Sequence, residues 1–388
     1  MNLLAPCVLT VAVAVVACGG DAGNSLPTQV VPRGLASCGA TTELFSRLPV
    51  DPAKIMGWVP LGIMSPPAHT FPTDHQYIYL TTFGTTAAAT PLVAPGRVVV
   101  TGARRTSYSA GSIGTDYSLT FSPCSDVSAE FGHVTSIEPT LLARLGAFDQ
   151  QCNRYSPNPG LEVEACYTRA ASVLVEAGET IGSTKGLDLW LFDRRVQPTA
   201  FANATRWTAL TSGFDHFHVA PFSAYYGEPA RSTVRAMLGS FDGHTRRVAE
   251  PLGGSIDSDV RGTAQGVWFS PGQPTFPETS HLAIAPDNVE PTLMTISFGL
   301  SQPDAIPGAY HFVPVSSGDI DRAPSEITPG ATIHCWEVGY GDANVRAVVF
   351  VQLTDATTLR VETRFDQPQR CADLRPYSFS DRAFRYVR

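Results

Sequence analysis

The sequence predicts a mainly β protein that folds into two domains. Short runs of apolar or alternating residues, typical of strands, recur along most of the chain and are separated by clusters of turn residues. Glycine (33 residues) and proline (31 residues) are frequent, as expected for a protein rich in turns. A chain of 388 residues exceeds one ordinary domain, which indicates two.

The order of these runs predicts the domain organisation. Residues 51–193 contain a first series of strands, interrupted by one short helix at 141–148. Residues 194–235 are rich in proline, glycine and aromatic side chains, which predicts a connector that packs against the folded body. Residues 236–388 contain a second series of strands with almost no helical period, which predicts an all-β barrel or sandwich.

The N-terminus has the pattern of an export signal. An apolar run from Leu3 to Val16 is shorter than a membrane span and ends in small residues before Cys18. Residues 1–17 are therefore predicted to be a signal peptide, followed at 18–50 by a lipidated N-terminus and a tether. The first residues contain no Lys or Arg, so a plain secretory signal with a coincidental cysteine at its junction is the alternative.

The junction of this signal resembles a lipoprotein cleavage site. Val15, Val16, Ala17 and Cys18 match the lipobox of bacterial lipoproteins, in which the cysteine thiolate is acylated. Each acyl CH₂ buried in a bilayer contributes about 0.8 kcal/mol, so several chains on one residue hold a folded domain at a membrane. The resemblance implies that Cys18 is lipidated and that the protein is exported and anchored to a bacterial membrane, the outer membrane in a Gram-negative cell.

Six cysteines follow Cys18, and an even number in an exported protein predicts disulfides. Cys335 and Cys371 both lie in the last quarter of the chain, and Cys152 and Cys166 bracket a loop rich in Pro and Gly. This leaves Cys38 for Cys124. A zinc cluster is the alternative, but the chain has no Cys-x-x-Cys pair to support it.

The net charge of −8 is opposite to that of a typical nucleic-acid-binding protein. We therefore expect neither nucleic acid nor an anionic membrane surface to be the main partner. The membrane contact that we predict is made through the lipid on Cys18.

The first domain carries an ordered set of short motifs. They lie at residues 75–80, 91–98, 130–134, 175–182 and 186–191. In this order they resemble the lysostaphin/LytM-type zinc endopeptidases, which cut peptide cross-links of bacterial cell walls. The resemblance covers roughly residues 56–193 and implies a peptidase-like antiparallel β-barrel or sandwich, with a duplicated hybrid motif, as the first domain.

The resemblance also implies which positions would form the zinc site, and two of the three ligands differ. His75 matches the first ligand, but Tyr79 stands where the family has Asp, and a phenol of pKa about 10 is a poor ligand. Trp190 stands where the last ligand His is expected, and indole offers no lone pair. His133 keeps the position of the second catalytic imidazole of the family. Asp188 stands where the family has the His that polarises the attacked water.

These replacements predict an inactive peptidase that binds cell-wall peptide or glycan, or serves as a scaffold, with no cofactor. The alternative is an active zinc-dependent cell-wall endopeptidase with a metal site rebuilt from His75, Asp74, His216 and His218. In a competing interpretation, His69, Asp74 and His75 form a hydrogen-bonded loop cluster. The second domain could equally be the ligand-binding module.

Overall fold

The computed structural model describes residues 34–109, 114–158, 161–208, 215–303, 305–339, 346–365 and 370–388. The proposed signal peptide, Cys18 and the first part of the tether lie outside these ranges, so export and lipidation stay predictions. Within the described ranges, no helix combines the length and apolarity needed to cross a membrane.

The first sheet is antiparallel and contains ten strands in the described part of the chain. The path is β1-β2-β10-β6-β5-β4-β8-β7, while β3 pairs with β10 and β9 pairs with β4. The strands are β1 (Ile55–Val59), β2 (Gln76–Leu80), β3 (Thr90–Val93), β4 (Val98–Tyr108), β5 (Thr115–Ser122), β6 (Val127–Ile137), β7 (Gln151–Asn158), β8 (Leu161–Tyr167), β9 (Val173–Val175) and β10 (Thr180–Asp193).

The second sheet has eight strands among the described residues, each paired with the next along the chain. A bridge between Phe269 and Val387 joins its two ends, which brings the sheet close to a barrel. The strands are β11 (Gly266–Trp268), β12 (Leu282–Pro286), β13 (Met294–Phe298), β14 (Gly308–Phe312), β15 (His334–Gly339), β16 (Arg346–Asp355), β17 (Thr358–Arg364) and β18 (Phe384–Val387). The mainly β fold with two β domains is thus confirmed.

The connector packs against the first sheet, as its aromatic residues predict. It contains α2 (Ala204–Thr208), two 3-10 helices (His216–His218 and Phe222–Tyr225) and α3 (Ala230–Arg235), while α1 (Pro139–Leu145) precedes it in the first domain. Phe222, Tyr225 and Tyr226 are buried in the core of the first sheet. Although the second domain was expected from residue 236, the chain around Leu238 still lies against β1, and the second sheet starts at Gly266.

The three disulfides pair as predicted: Cys38–Cys124, Cys152–Cys166 and Cys335–Cys371. The segment between Cys152 and Cys166 was expected to be a loop rich in Pro and Gly, but its described residues lie in strands β7 and β8. The two cysteines occupy directly opposite positions on the β7–β8 hairpin, where paired residues lie close enough for a disulfide.

The predicted short helix is present two to three residues earlier than expected, as α1. The carboxylate of Glu138 accepts hydrogen bonds from the backbone N–H groups of Thr140 and Leu141, which caps the helix, and Gly146 ends it. Proline at the first helical position favours this start. The capping signal was therefore present in the sequence, upstream of the apolar run.

Candidate functional site

One face of the first sheet gathers the residues that the sequence singles out. In β2 the side chains of Gln76, Ile78 and Leu80 are buried on the core side, so Tyr77 and Tyr79 point to the other face. Directly opposite residues of an antiparallel pair share a face, and Tyr77 pairs with Asp188 of β10. We call this second face, across β2, β10 and β6, the site face.

Six side chains on and beside the site face form an alternating series of imidazoles and carboxylates, which we call the His–Asp chain. Its members, in spatial order, are His216, Asp74, His75, Asp188, His133 and Asp116. The successive nitrogen–oxygen distances are 3.2, 2.9, 3.7, 3.3 and 2.6 Å. The residues come from five separate parts of the chain, and they meet because the connector packs its 3-10 helix with His216 against the sheet.

Asp74 is the main acceptor of the chain. Its Oδ1 accepts hydrogen bonds from His75 Nδ1 at 2.9 Å and from the indole N–H of Trp190 at 3.0 Å, and its Oδ2 lies 3.2 Å from His216 Nδ1. Burial opposes ionisation of this carboxyl, but the hydrogen bonds from His216 and His75 outweigh it. They hold the pKa of Asp74 well below its usual range.

His133, which lies between Asp188 and Asp116, is a partly exposed member of the His–Asp chain. Its side chain is partly exposed, and its backbone has a φ of 57°, a left-handed conformation that is rare for a residue other than Gly, Asn or Asp. The strain lies where the register between β6 and β10 shifts, and the hydroxyl of Thr184 donates to the carbonyl of His133 at 2.8 Å. The bulge turns the imidazole between the carboxylates of Asp116 and Asp188.

Trp190 fills the position where the resemblance expects the last zinc ligand. Its ring packs on His75 with centroids 4.1 Å apart, and its indole N–H is committed to Asp74. The ring fits because β6 has Gly132 beneath it: a Cβ there would lie 2.8 Å from Trp190 Cζ3. Because Gly132 has no side chain, the Trp190 ring can occupy the space beside His75.

Tyr79 lies on the same face, where the resemblance expects an Asp ligand. Burial and the neighbouring charge of Asp188 raise the pKa of Tyr79 to about 12. The phenol is therefore neutral at physiological pH and does not provide a phenolate ligand.

The rebuilt zinc site does not assemble. His216 reaches Asp74, but His218 pairs with Asp215 at 2.8 Å, because residues 216–218 form a 3-10 turn and not a strand that would put both imidazoles on one face. Among the described residues, one group of three potential metal-ligand atoms lies within 4.8 Å of one another: Cys38, Cys124 and Asp126. These two cysteines form a disulfide and are not available as ligands. Neither this group nor the set of His75, Asp74, His216 and His218 therefore fits zinc.

Of the hydrogen-bonded loop cluster expected from His69, Asp74 and His75, the bond between Asp74 and His75 is present, and His69 joins through a ring contact. The rings of His69 and His75 lie edge to face, 5.4 Å apart. Burial, followed by repulsion from His75, lowers the pKa of His69 to about 3, so this imidazole is neutral at physiological pH. The sequence therefore identified part of the cluster, but not its extension to Asp188, His133 and Asp116.

Asp116 and Glu278 are site residues that sequence reasoning missed. The half-buried side chain of Glu278, from the second domain, accepts the backbone N–H of Phe71 at 2.8 Å. Burial, with a smaller contribution from Asp74, raises the pKa of Glu278 well above its usual value. Neither residue belongs to a local motif, so only the tertiary contacts reveal them.

The site lies close to the junction of the two domains. Phe71 packs in an apolar cluster that joins loops of the first domain to strands β11 and β12 of the second. Its ring stacks on His281 with centroids 5.2 Å apart and contacts Phe269 at 5.4 Å. The second domain thereby fixes the loop that leads into Asp74 and His75.

Comparison with protein-family models, with curated proteins and with solved structures shows no significant match to this chain.

Proposed function

We propose that this protein is an exported, lipid-anchored protein of the bacterial cell envelope. In this proposal, its first domain is a peptidase-like module that binds cell-wall peptide or glycan at the His–Asp chain without cleaving it. The observation that carries the proposal is the closure of the His75 site by Trp190, whose N–H is bound by the same Asp74 that accepts from His75.

The donor geometry supports binding over zinc hydrolysis. A catalytic zinc site in proteins needs three ligands around one point and an open fourth position for water. Here His75 and His133 face the same Asp188 oxygen, at 3.7 and 3.3 Å, and the remaining nitrogens are directed to other carboxylates. Carboxylates and imidazoles at a partly exposed sheet face can instead hydrogen-bond the hydroxyl and amide groups of a cell-wall fragment.

The test is co-sedimentation of the purified protein with peptidoglycan sacculi, together with the zinc content of the protein. We expect the wild type to sediment with sacculi, to release no soluble wall fragments and to contain no stoichiometric zinc. His133→Ala is expected to weaken retention about tenfold, because it removes a partly exposed imidazole through which the site face would hydrogen-bond the ligand. His311→Ala, which removes another partly exposed, carboxylate-paired histidine in the second domain, is the matched control.

Two results would overturn this proposal. Wild-type protein that stays in the supernatant would remove the binding function. One zinc per chain that is lost in His75→Ala, together with release of wall peptides, would establish the zinc endopeptidase instead.

The lipid anchor has its own test, by metabolic labelling with a fatty-acid analogue. We expect the wild type to be labelled and Cys18→Ala to be unlabelled, because only the cysteine at the signal junction becomes the N-terminal residue that carries lipid. Cys7→Ala, within the signal, should keep the label. Label that persists in Cys18→Ala would contradict the anchor.

A further inference from the structure

Next to the His–Asp chain, three aromatic rings form a partly exposed platform, which we define as Tyr79, Phe83 and Phe241. The ring centroid of Tyr79 lies 5.0 Å from that of Phe83 and 5.7 Å from that of Phe241. Phe83 is 42% exposed and Phe241 52% exposed, although large apolar side chains are normally buried. Two exposed aromatic residues therefore flank one tyrosine on the site face.

Two glycines allow the platform to form. Gly186 of β10 pairs with Tyr79, and a Cβ there would lie 2.9 Å from Phe83 Cδ2, so the phenyl ring rests directly on the strand. Gly57 of β1 is the other neighbour of Tyr79, and a Cβ there would lie 2.6 Å from the carbonyl oxygen of Phe241. The two aromatic segments can thus approach Tyr79 from both sides.

Hydrogen bonds hold both segments in place. Lys185 donates to the carbonyl of Thr85, at 2.9 Å, in the turn that carries Phe83. The turn that carries Phe241 is closed by the backbone bond from Gly243 to Ser240, at 3.0 Å, and the preceding residues bond to Trp58 of β1. A binding surface that is ordered in advance loses less entropy when a ligand binds.

The aromatic platform lies beside the His–Asp chain on the site face. Tyr79 lies on the same face as Asp188, whose charge adds to burial in raising the pKa of the phenol. Tyr77, next along β2, lies 4.6 Å from His75 and 6.1 Å from Tyr79, measured between ring centroids. A ligand on this face would meet aromatic rings at one end and imidazole and carboxylate groups at the other.

We propose that this face binds a glycan strand, with sugar rings stacked on Tyr79, Phe83 and Phe241 and hydroxyl groups bonded at the partly exposed His133. The apolar C–H faces of sugar rings pack on aromatic rings, while their hydroxyls hydrogen-bond to carboxylates and imidazoles. The inference rests on the proposed binding function and narrows its ligand to the sugar component of the wall.

The sheet topology favours a glycan over a peptide. An extended peptide commonly binds by adding a strand to a free sheet edge. On the site face, β2 is paired with β1 and β10, and β10 is also paired with β6. The backbone groups at this place are already used by the sheet, so recognition must occur through side chains.

The experiment compares three ligands: intact sacculi, glycan strands freed of their peptides with an amidase, and the released stem peptides. We expect the wild type to bind sacculi and peptide-free glycan strands, but not the stem peptides. The double variant Phe83→Ala/Phe241→Ala should lose about tenfold or more of its affinity for glycan strands. Leu174→Ala/Leu300→Ala removes two side chains of matched exposure (41% and 54%) elsewhere and should bind as the wild type does.

The outcomes separate this inference from the proposed function. Binding to stem peptides alone, or unchanged glycan binding by the aromatic double variant, would overturn the glycan platform and leave the wall-binding function standing. Failure of the wild type to bind sacculi would overturn both. Thermal unfolding of each variant checks that a lost affinity is not a lost fold.

Discussion

Asp74→Ala is expected to lower the free energy of unfolding by about 3 kcal/mol, the low end of the range for breaking a buried ion pair, because the Asp74 side chain is still 21% exposed. The carboxylate is the shared acceptor for His75, His216 and the indole N–H of Trp190. Its removal takes this acceptor from three buried donors in one step, and each bond to a charged group is worth about 1.5–3 kcal/mol. A typical domain is stable by only about 5–15 kcal/mol, so the variant would lose a large part of its stability.

Urea unfolding followed by tryptophan fluorescence measures this change. Asp74→Asn keeps one acceptor oxygen and should be intermediate. Glu176→Ala is the matched control, because it removes a carboxylate from the exposed pair with Arg97, which should change stability by less than about 1 kcal/mol. An Asp74→Ala protein as stable as Glu176→Ala would show that the His–Asp chain does not stabilise the site face.

Phe71→Ala is expected to destabilise the protein by about 3 to 5 kcal/mol through a cavity at the domain junction. The ring is buried between His281, Phe269 and Trp207, with centroid distances of 5.2, 5.4 and 5.8 Å. Burial lowers the pKa of His281 to about 4, so the stacked imidazole is neutral at physiological pH and behaves as a flat, mostly apolar surface.

Thermal and urea unfolding, with separate probes in the two domains, check this prediction. Because Phe71 joins the two domains, the variant should also unfold in a less cooperative transition than the wild type. Phe241→Ala, which removes an exposed ring, should leave stability nearly unchanged. Equal effects of the two substitutions would show that the junction contributes little to stability.

The strands could be predicted where hydrophobic residues alternate or run together. Gln76–Leu80, within the motif at 75–80, is a strand whose alternation places Ile78 and Leu80 in the core. Other strands were missed: β7 and β8 were interpreted as a loop because of their Pro and Gly residues, β14 begins with the weak strand formers Gly308 and Ala309, and β18 has only four residues. Pairing with a neighbouring strand stabilised segments whose own pattern was weak.

The site was predictable only in part. His75, His133, Asp188 and Trp190 were identified through an ordered set of motifs, and the structure places them on one face. His216 was identified as part of a His-x-His pair, but the pair separates because a 3-10 turn directs His218 to Asp215 instead. Asp116 and Glu278 have no local signal, since Asp116 meets His133 only through the pairing of β5 with β6 and the partner of Glu278, Phe71, lies 207 residues away.

The sequence by itself determined the β class of this protein, the connector that packs down and the three disulfide pairs, because these depend on local periodicity, turn residues and chain position. Only the tertiary structure decided which side chains share the carboxylate of Asp74. The bond between Trp190 and Asp74 joins residues 116 positions apart, and only the register of β2 on β10 brings them together. The same register places Tyr79 between Phe83 and Phe241, because glycines on both neighbouring strands leave room for their rings.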